Sequence, residues 1–279
     1  MPTRIVTDST SDIPKEIVDN LNIKVVPLNV HFGETTYKDG IDISPDEFFQ
    51  KLTAGSIFPS TSQPSIGEFV EAYEETWEEE NEVVSIHISS KLSGTYNSAF
   101  QASKELENRI TVHLVDSLHA SMSTGLAVIN AAIAAKEGKS GQECVKIAKD
   151  TLAKSRIYVM LDTLEFLEKG GRIGKARSLL GNILKIKPLL TIESGEISEF
   201  GKARSRRAGL SKLRQEAYKV NPAQQIAVVY STDQEDAINF ATSLEQFLPD
   251  REKPIVSRVG PVIGTHAGPN LIGIVLVAT

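Results

Sequence analysis

Residues 83–106 read VVSIHISSKLSGTYNSAFQASKEL. Val83–Ile88 reads as a strand, one of the short β-branched runs that recur along the chain. Ser89–Ser93 interrupts it with hydroxyls, and Gly94–Leu106 follows as a helix. A strand that passes through a polar loop into a helix is half of a βαβ unit, so this stretch predicts an α/β fold.

The alternation continues outward on both sides. Toward the N-terminus, Arg4–Thr7 and Lys24–Val30 read as strands and Pro14–Leu21 as a helix with Pro in its first turn. His31–Ile43 carries Gly-Glu and Asp-Gly turn signals and reads as a small hairpin. Pro45–Leu52 reads as a helix capped by Ser44. Ser56–Ser65 is rich in Pro and Ser and reads as a loop before an acidic helix over Gly67–Glu80. Thr111–Val115 is a strand candidate, and Ser121–Lys136 and Gly141–Ala153 are helices. A second series begins near Arg156 with a strand (Tyr158–Leu161), a short helix (Leu164–Lys169) and a flexible turn (Gly170–Arg177). Next come a hairpin turning at Glu193–Glu196, a basic helix (Lys202–Val220), a strand (Gln225–Tyr230) and a helix (Asp236–Phe247). Strands at Ile255–Val259 and Leu271–Val277 flank the loop GPVIGTHAGPN. With strands and helices alternating, the sheets are expected to be largely parallel. Two α/β domains meeting at a cleft are predicted: residues 1–158, a largely parallel sheet flanked by helices, and a smaller α/β domain over 159–279.

Composition narrows the function. The 279 residues are 41% hydrophobic and 24% charged, close to globular averages. Lys and Arg number 30 against 36 Asp and Glu, a net charge of −6, which argues against binding nucleic acid through its phosphates. The single cysteine, Cys144, excludes an intramolecular disulfide and suits a reducing compartment. No apolar run approaches the roughly 18 residues of a membrane span, and the first residues, MPTRIVTDST, lack a signal-peptide core. A cytoplasmic location is expected.

Common catalytic fingerprints fail. No two glycines stand two residues apart, so a dinucleotide-binding loop cannot be written. Gly174-Lys175-Ala176 lacks the hydroxyl residue of a phosphate loop, and the histidines show no zinc-binding spacing. Neither a metal nor a cofactor is expected.

Polar loops remain. Thr7–Asp12 either caps the following helix or faces a ligand. Thr61-Ser62-Gln63-Pro64-Ser65 places adjacent hydroxyls in a Pro-anchored loop, where Ser65 has an alternative role as a helix cap. Ser93 and Thr95 stand at a helix N-terminus, whose free N–H groups and dipole favour an anion, or else they only cap it. Arg172, among Gly170, Gly171 and Gly174, is placed for a bidentate contact with an oxyanion, or is solvated. His266, in a glycine-flanked loop, is either structural or ligand-facing. Lys202, Arg204, Arg206, Arg207, Lys212 and Arg214 form either a solvated face or a docking surface for an acidic partner.

Taken together, TDSTSD near the N-terminus, TSQPS at 61–65, SSKLSGTY at 89–96, LEFLEKGGRI at 164–173 and GTHAGPN at 264–270 resemble the DegV family of bacterial fatty-acid-binding proteins, in order along the whole chain. The resemblance implies two α/β domains holding one long-chain fatty acid such as palmitate. It implies no catalysis by this chain: a separate fatty acid kinase phosphorylates the presented carboxylate for phospholipid synthesis. It also implies that Thr61 and Ser93 bind the carboxylate with Ser62 beside them, and that Arg172 and His266 serve the headgroup network or the kinase encounter.

Physical chemistry agrees with such a ligand. A carboxylate removed from water needs donors around it, while a tail of about 14 to 16 carbons supplies roughly 10 kcal/mol, at about 0.8 per methylene, before ordering costs. Leu179-Leu180, Ile183-Leu184, Pro188–Leu190 and Leu271–Val277 are candidate tunnel walls, although core packing explains them equally. Two other functions stay open: an acyl- or phosphoryl-transfer enzyme with Ser93 as nucleophile and His266 as base, and a lipid-sensing regulator.

Overall fold

The computed structural model describes residues 3–55, 57–77, 82–179, 186–249 and 252–279. In chain order the first half runs β1 (Thr3–Asp8), α1 (Lys15–Leu21), β2 (Lys24–Val26), β3 (Asn29–Phe32), β4 (Thr35–Lys38), α2 (Pro45–Ala54), β5 (Ser60–Ser62), α3 (Ile66–Thr76), β6 (Glu82–His87), α4 (Thr95–Glu105), β7 (Val112–Asp116), α5 (Met122–Lys136) and α6 (Gly141–Lys154). The second half runs β8 (Ser155–Met160), α7 (Glu165–Lys169), β9 (Lys187–Glu193), β10 (Glu196–Ala203), α8 (Arg206–Lys219), β11 (Ala223–Tyr230), α9 (Gln234–Thr242), β12 (Ile255–Arg258), α10 (Pro261–Ala267) and β13 (Ile272–Ala278). The C-terminal end of the helix expected over 67–80 reaches residues 78–80, which lie outside the described residues.

The first sheet, ordered β2-β1-β6-β7, is parallel throughout. Its inner strand β6 is buried from Val83 to His87, with Ser85 and His87 among the buried residues, and the strand read over 83–88 is present. Helix α5 is apolar on nearly every face because most of it is covered: it packs on β1 and α6 and also reaches β8 and β13 of the second sheet, leaving Ile133 exposed near its end. Capping boxes start three helices, pairing Ser44 with Glu47, Ser65 with Glu68 and Ser140 with Glu143. Ser65 is therefore a helix cap.

The second sheet, ordered β10-β9-β8-β13-β11-β12, departs from the parallel expectation. Only the β11–β12 pair is parallel; β13 lies antiparallel to both β8 and β11, and β9 and β10 form a hairpin. Ser194 and Gly195 take φ of 50° and 85° at its tip, the positive pair a two-residue hairpin turn needs.

Three further segments differ from expectation. The strand anticipated over Lys24–Val30 is two strands in different sheets: Pro27 offers no N–H to a ladder, and the Leu28 amide donates instead to Ser9 Oγ (3.1 Å). Part of the loop expected at 56–65 is β5, which pairs with β3 in a small antiparallel sheet, β4-β3-β5. The loop expected at 260–270 is mostly helix α10, with Pro261 in its first turn. Its Gly264 serves packing: a Cβ there would lie 2.8 Å from the rings of both Phe48 and Phe49. The basic helix is also shorter than expected, since Lys202 and Ala203 belong to β10. Several of its cations are tied down, Arg206 to Asp236 and the Asn270 carbonyl and Arg214 to Ser243, so much of that charge braces the fold.

Candidate functional site

A cavity opens where the carboxyl end of β6, marked by Ile88, faces the second sheet, the place where open α/β sheets accept ligands. Its empty space, open mouth included, is about 960 Å³, near the upper end of the roughly 300–1,000 Å³ of ligand pockets. The walls are apolar, with Ile157 and Val159 from β8, Ile192 and Ile197 from the hairpin, and Val262 from α10 among them. Most polar lining residues, Thr61, Ser62, Gln63, Ser93, Arg172 and His266, lie away from those walls, while Thr191 and Ser121 add a hydroxyl each from the hairpin and the start of α5.

Local structure explains each position. In β5, alternation sends Thr61 and its neighbours to opposite faces. Thr61 Oγ1 meets His266 Nε2 at 2.9 Å, while Ser62 Oγ turns to His31 Nε2 (3.0 Å) and Asn29 Nδ2 (3.3 Å). Ser62 thus borders the cavity with its hydroxyl engaged on the other face. Ser93 lies just before α4, its hydroxyl 2.8 Å from that of Thr95 and accepting the Thr95 amide at 3.3 Å. Arg172 owes its place to the end of α7. The Gly171 amide bonds the Glu168 carbonyl and the Arg172 amide bonds the Leu167 carbonyl, a Schellman closure with Gly171 at φ 70°. The stretch expected to be a flexible turn is therefore ordered. Arg172 Nε then donates to the Leu92 carbonyl (3.2 Å) and Nη1 to the Gly170 carbonyl (2.8 Å), which leaves further guanidinium donors for an anion.

His266 occupies the last turn of α10, not a strand-connecting loop. Gly170 is packed against its ring so closely that a Cβ would lie 2.1 Å from Nδ1. Burial, aided by the Arg172 charge, lowers its pKa to about 4, so the ring is neutral near pH 7. Nδ1 is buried without a hydrogen-bond partner. A stranded N–H is rarer than a bare lone pair, which assigns the proton to Nε2, donated to Thr61 Oγ1. The Thr61 hydroxyl proton is then free to point into the cavity.

Sequence reading missed Gln63 and Ser121. Gln63 was quoted within its motif but assigned no role; its carboxamide lies over Gly94, where a Cβ would come within 2.6 Å of Nε2. Ser121 has φ 54° at the start of α5, lines the cavity and donates to Asp12 Oδ2 (2.5 Å). Burial raises the Asp12 carboxyl well above the ordinary range despite that bond. Of the proposed tunnel walls, Leu190 and Leu271 line the cavity, Leu189 packs in the core beneath α8, and Leu180, Ile183 and Leu184 lie outside the described residues. Among the described residues, no group of three or more His, Cys, Asp or Glu is placed to hold a metal, and no helix is long and apolar enough to cross a membrane.

The family model described as "Uncharacterised protein, DegV family" matches residues 2–279. The chain belongs to the DegV family. Protein DegV of Bacillus subtilis is 36% identical over 279 residues, with 98% of each chain covered. Among solved structures, a fatty-acid-binding DegV family protein from Thermus thermophilus superposes with a TM-score of 0.89 at 35% identity, covering 100% of both chains. A stearic-acid-binding protein from Eubacterium ventriosum matches with a TM-score of 0.89 at 29% identity, covering 99% of this chain and 98% of its own. DegV relatives of this fold are thus described as fatty-acid-binding proteins.

Proposed function

We propose that this DegV protein binds one long-chain fatty acid, such as palmitate, with its tail in the apolar cavity and its carboxylate at Thr61 and Ser93. The observation that carries this reading is a cavity with largely apolar walls in which Thr61, His266, Arg172 and Ser93 are linked through neighbouring contacts on the lining, apart from the hydroxyls of Ser121 and Thr191. An acid headgroup needs donors there, and the tail needs the rest. Fatty-acid binding by the Thermus relative, which spans the same length, supports it. Ser62 shapes the site from the far face of β5, and Arg172 and His266 complete the headgroup network.

The protein acts as a carrier in the cytoplasm. It presents the carboxylate to a separate fatty acid kinase, which makes the acyl phosphate used in phospholipid synthesis, and it needs no cofactor of its own. Ser93 is bonded to Thr95 and His266 to Thr61 rather than to each other, which supports the carrier over an acyl-transfer enzyme. The proposed division into two α/β domains at 158/159 falls inside β8, three to four residues past the point where α6 ends at Lys154 and the second sheet begins at Ser155.

Mass spectrometry of a denatured, extracted sample tests the binding. One long-chain fatty acid is expected, and a lipid-free protein that also ignores added palmitate overturns the reading. With the kinase added, Arg172→Ala is expected to retain palmitate while acyl-phosphate formation falls. Loss of the lipid with kinase docking intact would reverse the role assigned to Arg172.

A further inference from the structure

Ser89 opens the loop that carries Ser93 and is fully buried. Its hydroxyl donates to the Gly195 carbonyl (2.8 Å) and accepts from the Lys91 amide (3.2 Å). Its own amide donates to the His119 carbonyl (2.8 Å), and its carbonyl accepts from the amides of Leu92 (2.9 Å) and Ser93 (3.1 Å). Gly195 is the tip of the β9–β10 hairpin, at φ 85°. A Cβ there would lie 2.6 Å from Ser89 Oγ and 3.1 Å from Leu118, so a glycine is required for the tip to seat this closely.

That hairpin is a cavity wall. Thr191, Ile192 and Ile197 line the cavity, and β10 is an edge strand. Pairing between β9 and β8 runs from Met160–Leu189 to Tyr158–Thr191 and stops there. From Ile192 through Ile197 the hairpin extends past its sheet neighbour and leans on Ser89. One hydroxyl therefore joins the wall beside an acyl tail to the loop beside its headgroup.

We infer that Ser89 is a specificity-determining positioning residue: its bond to Gly195 holds the hairpin wall closed, retaining straight acyl tails and rejecting bulkier ones. The inference rests on the fatty-acid reading above and adds how the site selects among acids. A bulky tail has to push Ile192 and Ile197 outward, and the tip bond resists that displacement at the free end of the hairpin.

The test measures release of palmitate, and of a methyl-branched acid of equal carbon number, from the purified protein into excess phosphatidylcholine vesicles. Ser89→Ala is expected to release palmitate about fivefold faster, the change that a loss of about 1 kcal/mol produces, and to narrow the preference for the straight acid. Ser89→Cys, which keeps a side chain at this position but weakens the bond, shifts both readouts the same way and replaces the alanine variant should that fail to fold. Variants that melt earlier yet keep the wild-type release rate and the straight-over-branched preference overturn the inference, because a purely structural role moves only the melting temperature. Wild-type protein that takes up no palmitate overturns the fatty-acid reading itself, and this inference with it.

Discussion

Two hydroxyl–imidazole pairs in this protein are built alike and end differently. At the first, His87 Nδ1 bonds the Asp8 carboxylate (2.9 Å), its Nε2 bonds Ser85 Oγ (2.6 Å), and the Tyr73 hydroxyl donates to the same Ser85 (3.0 Å). Asp8, His87 and Ser85 have no exposed surface. At the second, His266 Nε2 meets Thr61 and Nδ1 meets nothing, beside a cavity. The sealed node contains its own carboxylate, and Asp8 also accepts the Ile88 and Thr10 amides, which ties the end of β1 to the loop leading to Ser93. The open node has the hydroxyl and the imidazole without the carboxylate. The two nodes thus differ in one respect: the chain supplies an acid to His87 and none to His266.

The sharpest way to break this contrast is to remove the internal acid. Asp8→Ala strands buried polar groups, and the expected cost is about 3–5 kcal/mol of stability, read as a fall of about 10 °C or more in melting temperature. A melting temperature unchanged by Asp8→Ala would make the sealed node dispensable.

Next in size is the open node. Thr61→Ala with Ser93→Ala removes two donors to a charged group, each worth about 1.5 kcal/mol or more, so palmitate affinity should fall about a hundredfold. Thr61→Ala also strands the buried His266 Nε2 proton, so the melting temperature of the lipid-free protein should fall by a few degrees, much less than for Asp8→Ala. An equilibrium titration in which the double variant binds palmitate like the wild type would move the headgroup elsewhere.

The smallest expected effect sharpens the comparison through pH. His266 has a folded pKa of about 4, below its unfolded value near 6.5. Its neutral form is favoured by folding, so its contribution is intact above pH 6.5 and is lost as pH falls toward 4. His266→Gln keeps an N–H for Thr61 and removes the titration. Denaturant unfolding at pH 5 compared with pH 7.5 should show the variant losing about 2 kcal/mol less than the wild type. Asp39, pushed up to about 7 by burial, works the opposite way, its contribution fading as pH rises through 7, which is why variant and wild type are compared at matched pH. Equal losses would place the His266 pKa near its ordinary value.

Much of the local structure was legible because its causes are local. Ser44 marks a helix start because a cap bonds only at short range, and the β-branched residues of Val83–Ile88 mark a strand. Thr61, Ser93, Arg172 and His266 were singled out as loop residues with donors, and all four line the cavity. The misreadings share a different origin. Gly264 was taken as a loop signal, yet it is a close-packing residue set by Phe48 and Phe49, more than two hundred positions away in sequence. The antiparallel arrangement of the second sheet depends on where β13 inserts, and β5 depends on β3; strand pairing leaves no periodicity to read. Ser121 is recruited to the cavity by a positive φ and a distant Asp12, neither visible in the stretch around it.

The position of β13 bears on how the protein is made. It lies between β8 and β11, so those two strands have no bridge until residues 272–278 are in place. During synthesis the first, parallel sheet has all its strands by residue 116, while the second stays split in two until residue 278 has left the ribosome. Leu271, which lines the cavity, leads directly into β13. A nascent chain therefore has no assembled cavity until that strand has been made.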